Sequence, residues 1–382
     1  MLPRQKPKIA IISLRNSYNY GGVLSCLRAT YKFCETYFEP TVFFLSFDPE
    51  LATSIHRLKF ASNSKPLSYF GMNCVEIGAR WSFWEPGHYV FTQPTWEKLL
   101  QQYDYFFVVS GTCIAAHPLV LLNKKFVMWV ATPYTEDREQ RVKEFGEIHY
   151  IIDRLANKKM LALEKNILSS ANYIFSISSY VQQKFNSILA TKRTNNTWCG
   201  FPIDCSKALP LNIYKENILI AVGRFSDPRK NITMLIKAFS LIHEKNKTAK
   251  LYVVGKKPSN EKLYDFCDYP CIENIVFTGQ ISAADLTALY RRASAMLITS
   301  HQEGLGIVGL EALLHGTPVI ATLCGGPEDF IIQGRNGYLV PIDDVQAMAD
   351  KALELLSNHA LLCQLSLAAR DFIHAQYSLQ TI

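Results

Sequence analysis

The stretch Ala295-Met296-Leu297-Ile298-Thr299-Ser300-His301-Gln302-Glu303-Gly304-Leu305-Gly306-Ile307-Val308-Gly309-Leu310-Glu311-Ala312-Leu313 decides the fold. It opens as an apolar, strand-like run, passes through a glycine-rich turn and continues as a helix. Glu303 therefore sits in the loop after a strand, and Glu311 about a turn and a half into the next helix. Two carboxylates and a set of free backbone N–H groups surround one small volume. Carboxylates accept bonds from paired hydroxyls, and a helix N-terminus attracts phosphate. A ligand that carries both groups is a sugar nucleotide. Gly304 and Gly306 permit close backbone approach, and Leu305, Gly306 and Ile307 present N–H groups there. Glu311 lies beside Leu310, Leu313 and Leu314 on an apolar helix, where a carboxylate needs a partner.

The same strand–turn–helix unit recurs on either side. Strands are expected at Ile218–Val222, Lys250–Val254, Ile275–Thr278, Ala295–Thr299 and Pro318–Thr322. Upstream, they are expected at residues 8–14, Thr41–Ser46, Tyr105–Val109, Phe126–Val130 and Asn172–Ile177, with helices over about Val23–Tyr37 and Leu155–Ser169. Strands that alternate with helices of this length make parallel sheets covered on both faces. Trp198–Asp204 has turn chemistry without periodicity, so the chain divides there. The organisation expected is α/β: two Rossmann-like, doubly wound domains facing across a cleft. The first spans 1–203 and the second 204–365, and a final helix follows over 366–382.

A second loop carries cations. In Val222-Gly223-Arg224-Phe225-Ser226-Asp227-Pro228-Arg229-Lys230-Asn231 a strand ends, a glycine turns the backbone, and Arg224 and Lys230 flank the turn. Arg offers a bidentate fork to phosphate and Lys a mobile point charge. Asn231 is placed to cap the helix that follows, as Ser178-Ser179 are before theirs.

Composition narrows the class. The chain has 382 residues, 48% hydrophobic and 19% charged, the balance of a folded protein. No apolar run reaches the ~18–20 residues that span a bilayer. Ile9–Leu14 is a core strand, not a signal peptide. The ten cysteines are irregularly spaced, so reduced thiols and a cytoplasmic setting are expected. Cys267 and Cys271 have no second pair to complete a metal site. The net charge of +7 is uneven: residues 1–210 hold 24 basic and 16 acidic side chains, and residues 211–382 hold 16 and 17. The basic half also carries Leu67-Ser68-Tyr69-Phe70 after Lys59 and Lys65, and Trp81-Ser82-Phe83-Trp84 after Arg80. Bases beside aromatics suit an anionic membrane surface, and equally a solvated surface next to core aromatics. Nothing points to nucleic acid.

Taken in order, these motifs resemble the donor-binding domain of family-4 retaining glycosyltransferases of the GT-B fold (group 1 glycosyl transferases). The resemblance covers residues 218–345. It rests on the Gly-Arg…Lys-Asn loop, Phe277-Thr278-Gly279, Glu303 to Glu311 with Gly304-Leu305-Gly306 between, Gly316-Thr317-Pro318-Val319-Ile320-Ala321, Gly325-Gly326 and Asn336-Gly337. It extends loosely to Gly21-Gly22, Ile177-Ser178-Ser179-Tyr180 and Gly200–Asp204. The resemblance implies that Gly223, Arg224 and Lys230 hold the diphosphate and that Glu311 holds the ribose. Glu303 and the N–H groups of Leu305 and Gly306 hold the donor sugar. Gly21 and Gly22 approach the phosphate, and Gly279, Gln280 and Ile281 lie near the base. Arg224, Lys230 and Glu303 are then the catalytic set, with no metal and no cofactor beyond the UDP- or GDP-hexose substrate. The resemblance also implies that the first domain binds the acceptor and the second the donor, and that the final helix returns to the first domain. It implies a glycan, lipopolysaccharide or lipid-linked acceptor met in the cytoplasm, and the basic, aromatic first half is compatible with a meeting at the inner membrane face. Here the chain departs from the pattern in one place. The family often has a histidine after the strand equivalent to Phe126–Val130, where this chain reads Ala131-Thr132-Pro133-Tyr134. His117 is the nearest candidate, as a catalytic group or as an ordinary loop histidine. A nucleotide-sugar epimerase, a phosphorylase and a non-catalytic sugar-nucleotide-binding subunit share the same features. A dinucleotide dehydrogenase does not, because Asn19-Tyr20-Gly21-Gly22 lacks GxGxxG.

Overall fold

Short apolar runs become strands here because both sheet faces are covered, so no polar alternation is needed. The computed structural model describes residues 6–14, 22–46, 50–51, 63–79, 94–142, 147–191, 195–201, 203–205 and 208–378. Two units result, Met1–Cys199 and Gly200–Ile382. The division falls just before the expected boundary at 203/204.

The first unit contains strands β1 (Lys8–Leu14), β2 (Glu39–Ser46), β3 (Ser64–Tyr69), β4 (Met72–Gly78), β5 (Tyr105–Ser110), β6 (Val127–Val130), β7 (Tyr173–Ser176) and β8 (Asn196–Trp198). Its helices are α1 (Gly22–Tyr37), α2 (Pro94–Leu100), α3 (His117–Leu121), α4 (Tyr134–Val142), α5 (Glu147–Ser170) and α6 (Ser179–Leu189). The strands form one sheet in the order β3-β4-β2-β1-β5-β6-β7-β8. All neighbours are parallel except β3 and β4. That hairpin turns through Phe70 and Gly71 with φ of 49° and 76°. Two positive φ values give a turn whose twist matches the strands it joins. Ser178 caps α6 by accepting from the Val181 N–H.

The second unit contains β9 (Glu216–Val222), β10 (Lys250–Val254), β11 (Ile275–Gly279), β12 (Ala293–Ile298), β13 (Val319–Thr322) and β14 (Gly337–Val340). Between and after them come α7 (Ile232–Lys245), α8 (Asn260–Tyr264), α9 (Ala283–Arg292), α10 (Ile307–Leu314), α11 (Val345–Ser357) and α12 (His359–Gln376). The sheet is parallel throughout, in the order β11-β10-β9-β12-β13-β14. Strand order reverses between β9 and β12, and in such sheets ligands bind beyond the carboxyl ends at that reversal. Leu219, Phe239, Leu251, Met348 and Leu365 belong to the core that fixes the sheet against its helices. The helix α12 packs on α10 and α11, within this unit.

Candidate functional site

The loops at the carboxyl ends of β9 to β13 are tied to one another by backbone bonds. Gly223 N–H donates to Val254 O at 2.9 Å, and Gly255 N–H to Gly279 O at 2.9 Å. Glu303 N–H donates to Cys324 O at 2.8 Å, and Gly326 N–H to Glu303 O at 2.9 Å. Glycines allow this closeness. A Cβ on Gly255 would stand 2.1 Å from Gly223 O, and one on Gly326 would stand 2.2 Å from Leu305 Cα. The sequence thus spends its glycines where loop backbones meet.

The cation loop and the acid loop face each other across the strand-order reversal. Lys230 Nζ donates to Glu303 Oε1 at 2.5 Å, and Ser300 Oγ donates to the same oxygen at 2.6 Å. Thr299 Oγ1 donates to Lys230 O at 3.0 Å and so holds that residue's backbone. Burial alone would push the Glu303 carboxyl up. The Lys230 ammonium beside it, the two hydrogen bonds and the Arg229 charge hold it below its usual value instead. Glu303 is a carboxylate. Arg224 points outward, 45% exposed, with Nη2 at 3.6 Å from Asp227 Oδ2. Asn231 takes the left-handed conformation (φ 48°), and its side chain accepts from the Met234 N–H to cap α7.

Gly306 (φ 81°) is the N-cap of helix α10, with no side-chain cap on that N-terminus. Gly304 and Leu305 lead into it, and Ile307 is its first residue. Its positive dipole end and the two cations favour an anion beyond the sheet. Glu311 lies on the same helix, half-buried. Burial pushes its carboxyl up to about 7, and a hydrogen bond from Tyr290 opposes this. That bond, from Tyr290 Oη to Glu311 Oε2, is 3.4 Å long. The Tyr290 ring stacks on His315 at 5.9 Å. Gly279 (φ 69°) ends β11. Gln280, exposed, and Ile281 follow it on the way to α9.

The remaining candidates lie in the first unit. Gly21 is outside the described residues, as are Lys59, Arg80 and Trp81–Trp84. Gly22 opens α1. His117 opens α3 and is 6% exposed, with neither ring nitrogen hydrogen-bonded. Burial lowers its pKa to about 4, so the ring is neutral at pH 7. Nearby elements hold a buried acid that sequence reasoning missed. Glu164 on α5 is fully buried, and its Oε1 accepts from the Tyr134 N–H at 2.7 Å and the Cys113 thiol at 3.8 Å. Burial raises this carboxyl to about 7, opposed by the donors at Tyr134, Cys113 and Thr135. Glu164 thereby serves the N-terminus of α4, next to Ala131-Thr132. In the second unit, Asp227, Arg229, Gln302, Ser300 and Tyr290 were also missed. The Asp-Pro-Arg start of a turn was the signal available for the first two.

Cations, a charged carboxylate and a helix N-terminus thus stand together at the strand-order reversal of a doubly wound unit, an arrangement chemically suited to an anionic, hydroxyl-bearing ligand. Residues 216–358, within the second unit, match the family model for glycosyl transferases group 1. The chain is 27% identical over 220 residues to poly(ribitol-phosphate) alpha-N-acetylglucosaminyltransferase of Staphylococcus aureus, covering 57% of this chain and 44% of that protein. It is 32% identical over 169 residues to N-acetyl-alpha-D-glucosaminyl L-malate synthase of Bacillus anthracis, covering 44% and 43%. The chain thus spans less than half the length of these two curated relatives. Among solved structures, Anabaena HepE in complex with UDP-glucose superposes with a TM-score of 0.72 at 17% identity, covering 98% and 96% of the two chains. The fold is that of the GT-B glycosyltransferases.

Proposed function

We propose that this protein is a family-4 retaining glycosyltransferase that moves a hexose from a UDP- or GDP-sugar to a glycan, lipopolysaccharide or lipid-linked acceptor. The observation that carries the proposal is the Lys230–Glu303 pair at the reversal of strand order, with Arg224 and the N-terminus of α10 on the same edge. As the bond from the anomeric carbon to the diphosphate breaks, negative charge grows on the leaving group. Arg224, Lys230 and the helix end stabilise it without need of a metal. Glu303, held charged, bonds the sugar hydroxyls and sits against the positive charge of the ring. Glu311 receives the ribose diol. The acceptor oxygen enters on the leaving-group face and passes its proton to a phosphate oxygen. His117, buried and neutral, is assigned no step.

The names of the relatives support the donor side more than the acceptor side. One is named for a poly(ribitol-phosphate) acceptor and the other for malate, while both names carry N-acetylglucosamine as the sugar. HepE was solved with UDP-glucose. The acceptor is proposed to be membrane-borne, at the inner face of the cytoplasmic membrane. Phe33, Tyr37 and Phe70 are 66%, 60% and 50% exposed in the basic first unit, and Arg28 lies 5.1 Å over the Phe70 ring. Among the described residues no helix is long and apolar enough to cross a membrane. Flotation with anionic against neutral vesicles tests this contact.

The test of function is release of nucleoside diphosphate from UDP- and GDP-hexoses, with and without acceptor extracts, in EDTA. Acceptor-dependent release that survives chelation is expected. Loss in EDTA with rescue by manganese would contradict the metal-free mechanism, and acceptor-independent conversion of the sugar would favour an epimerase.

A further inference from the structure

Asp227 stands between two arginines at the edge of the site. Arg229 grips it closely: Nη2 is 2.7 Å from Oδ2, and Nε and the backbone N–H reach Oδ1 at 3.1 and 3.2 Å. Arg224 reaches the same carboxylate only at 3.6 Å. Exposure separates the three side chains. Asp227 and Arg229 are 7% and 9% exposed, and Arg224 is 45% exposed. A carboxylate in this place opposes the chemistry of the site. It repels an incoming diphosphate and competes with it for Arg224. A bidentate guanidinium that takes up the carboxylate removes both effects. Arg229 also joins the two loops. Its Nη1 donates to Gln302 Oε1 at 3.4 Å, and its carbonyl accepts from the His301 N–H at 2.8 Å. These contacts lie one residue from Lys230 in one loop and one to two residues from Glu303 in the other.

On the nucleotide-sugar reading, we infer that Arg229 is a positioning residue that neutralises Asp227 and so releases Arg224 to the donor diphosphate. It touches no substrate. The residue that gains from it is Arg224, and the obstacle it removes is Asp227. Packing alone would make a different demand, because the two members of the pair would then be equally necessary.

The test is a double-mutant cycle read by calorimetry with inorganic pyrophosphate, UDP and GDP on the full-length chain. Arg229→Gln weakens binding about tenfold, the scale of one charge-assisted contact. Asp227→Asn alone binds at least as tightly as the wild type. The double variant Asp227→Asn/Arg229→Gln returns to within about twofold of the wild type, because no stranded charge remains. Circular dichroism and thermal midpoints check folding. If Arg229→Gln fails to fold, the double variant still decides, since it removes both charges of the pair. A double variant as weak as Arg229→Gln, or much weaker than the wild type, overturns the inference, as does wild-type affinity in Arg229→Gln. Failure of the wild type to bind any of the three probes overturns the nucleotide-sugar reading and this inference with it. Binding by the wild type with no rescue in the double variant overturns this inference alone.

Discussion

Lys230 Nζ lies 2.5 Å from Glu303 Oε1, although the two residues are 73 positions apart in the chain. One ends the loop after β9 and the other lies in the loop after β12, so the strand-order reversal brings them together. The contact keeps a carboxylate charged in a buried place and holds an ammonium at the edge of the sheet where an anion would bind.

Lys230→Met should lower kcat/KM for glycosyl transfer about 100- to 1000-fold, the cost of losing one preorganised charge at a developing anion. Glu303→Gln should bind nucleoside diphosphate normally and lose turnover. Rates of nucleoside diphosphate release, beside calorimetric affinities, separate the two effects. Equal loss of binding in both variants would argue against the division of roles.

Glu311 sets a pH dependence. Burial raises its carboxyl from a usual 4.5 to about 7 in the folded chain. A raised folded value means that the stability this group contributes is fully present below about 4.5 and is lost as pH rises through about 7. Thermal midpoints of wild type and Glu311→Gln should therefore diverge in favour of the variant between about pH 5 and 7, and run parallel above about pH 8. A ribose diol needs the ionised acid, so donor affinity should rise with pH over the same window. About one proton should leave on binding near pH 6, measured by calorimetry in buffers of different ionisation enthalpy. A constant gap between the two proteins would refute the assignment.

Gly326→Ala should disable the site. The new Cβ would stand 2.2 Å from Leu305 Cα and 2.5 Å from Leu305 N, and neither backbone atom can yield without moving the acid loop. A displacement of ~1 Å in such a site costs on the order of 100-fold in rate. Overpacking should also cost about 1–3 kcal/mol of stability. Full activity in the variant would show that the loop is not held by this contact.

Glu164→Ala should destabilise the first unit by about 1–3 kcal/mol, because the Tyr134 N–H loses its buried acceptor. Glu164→Gln keeps an acceptor and should cost less. Chemical denaturation followed by intrinsic fluorescence checks both. Indistinguishable midpoints for wild type and the alanine variant would contradict the role of Glu164 at α4.

What the sequence disclosed follows from how local each feature is. The parallel strands were legible because runs such as Leu251–Val254 and Ala295–Ile298 are apolar throughout, and turn or small polar residues follow them. The strand β3 was not, because Ser64-Lys65-Pro66-Leu67-Ser68-Tyr69 carries a proline and polar residues that only an antiparallel edge tolerates. Gly223, Arg224, Lys230 and Glu303 could be placed on one edge because each follows a strand. The grip of Arg229 on Asp227 could not, since it closes only once the turn Pro228–Lys230 has formed. Tyr290 reaches Glu311 from another helix, and Glu164 reaches α4 from α5. Neither spacing leaves a periodic trace.

The most direct measurement is a crystal structure of the protein soaked with an intact UDP- or GDP-hexose. The diphosphate is expected against Arg224, Lys230 and the Gly306 end of α10, with the ribose hydroxyls on Glu311 and the sugar hydroxyls on Glu303. A donor bound elsewhere, or Glu303 and Glu311 turned away from it, would contradict the assignment of this edge as the site of transfer.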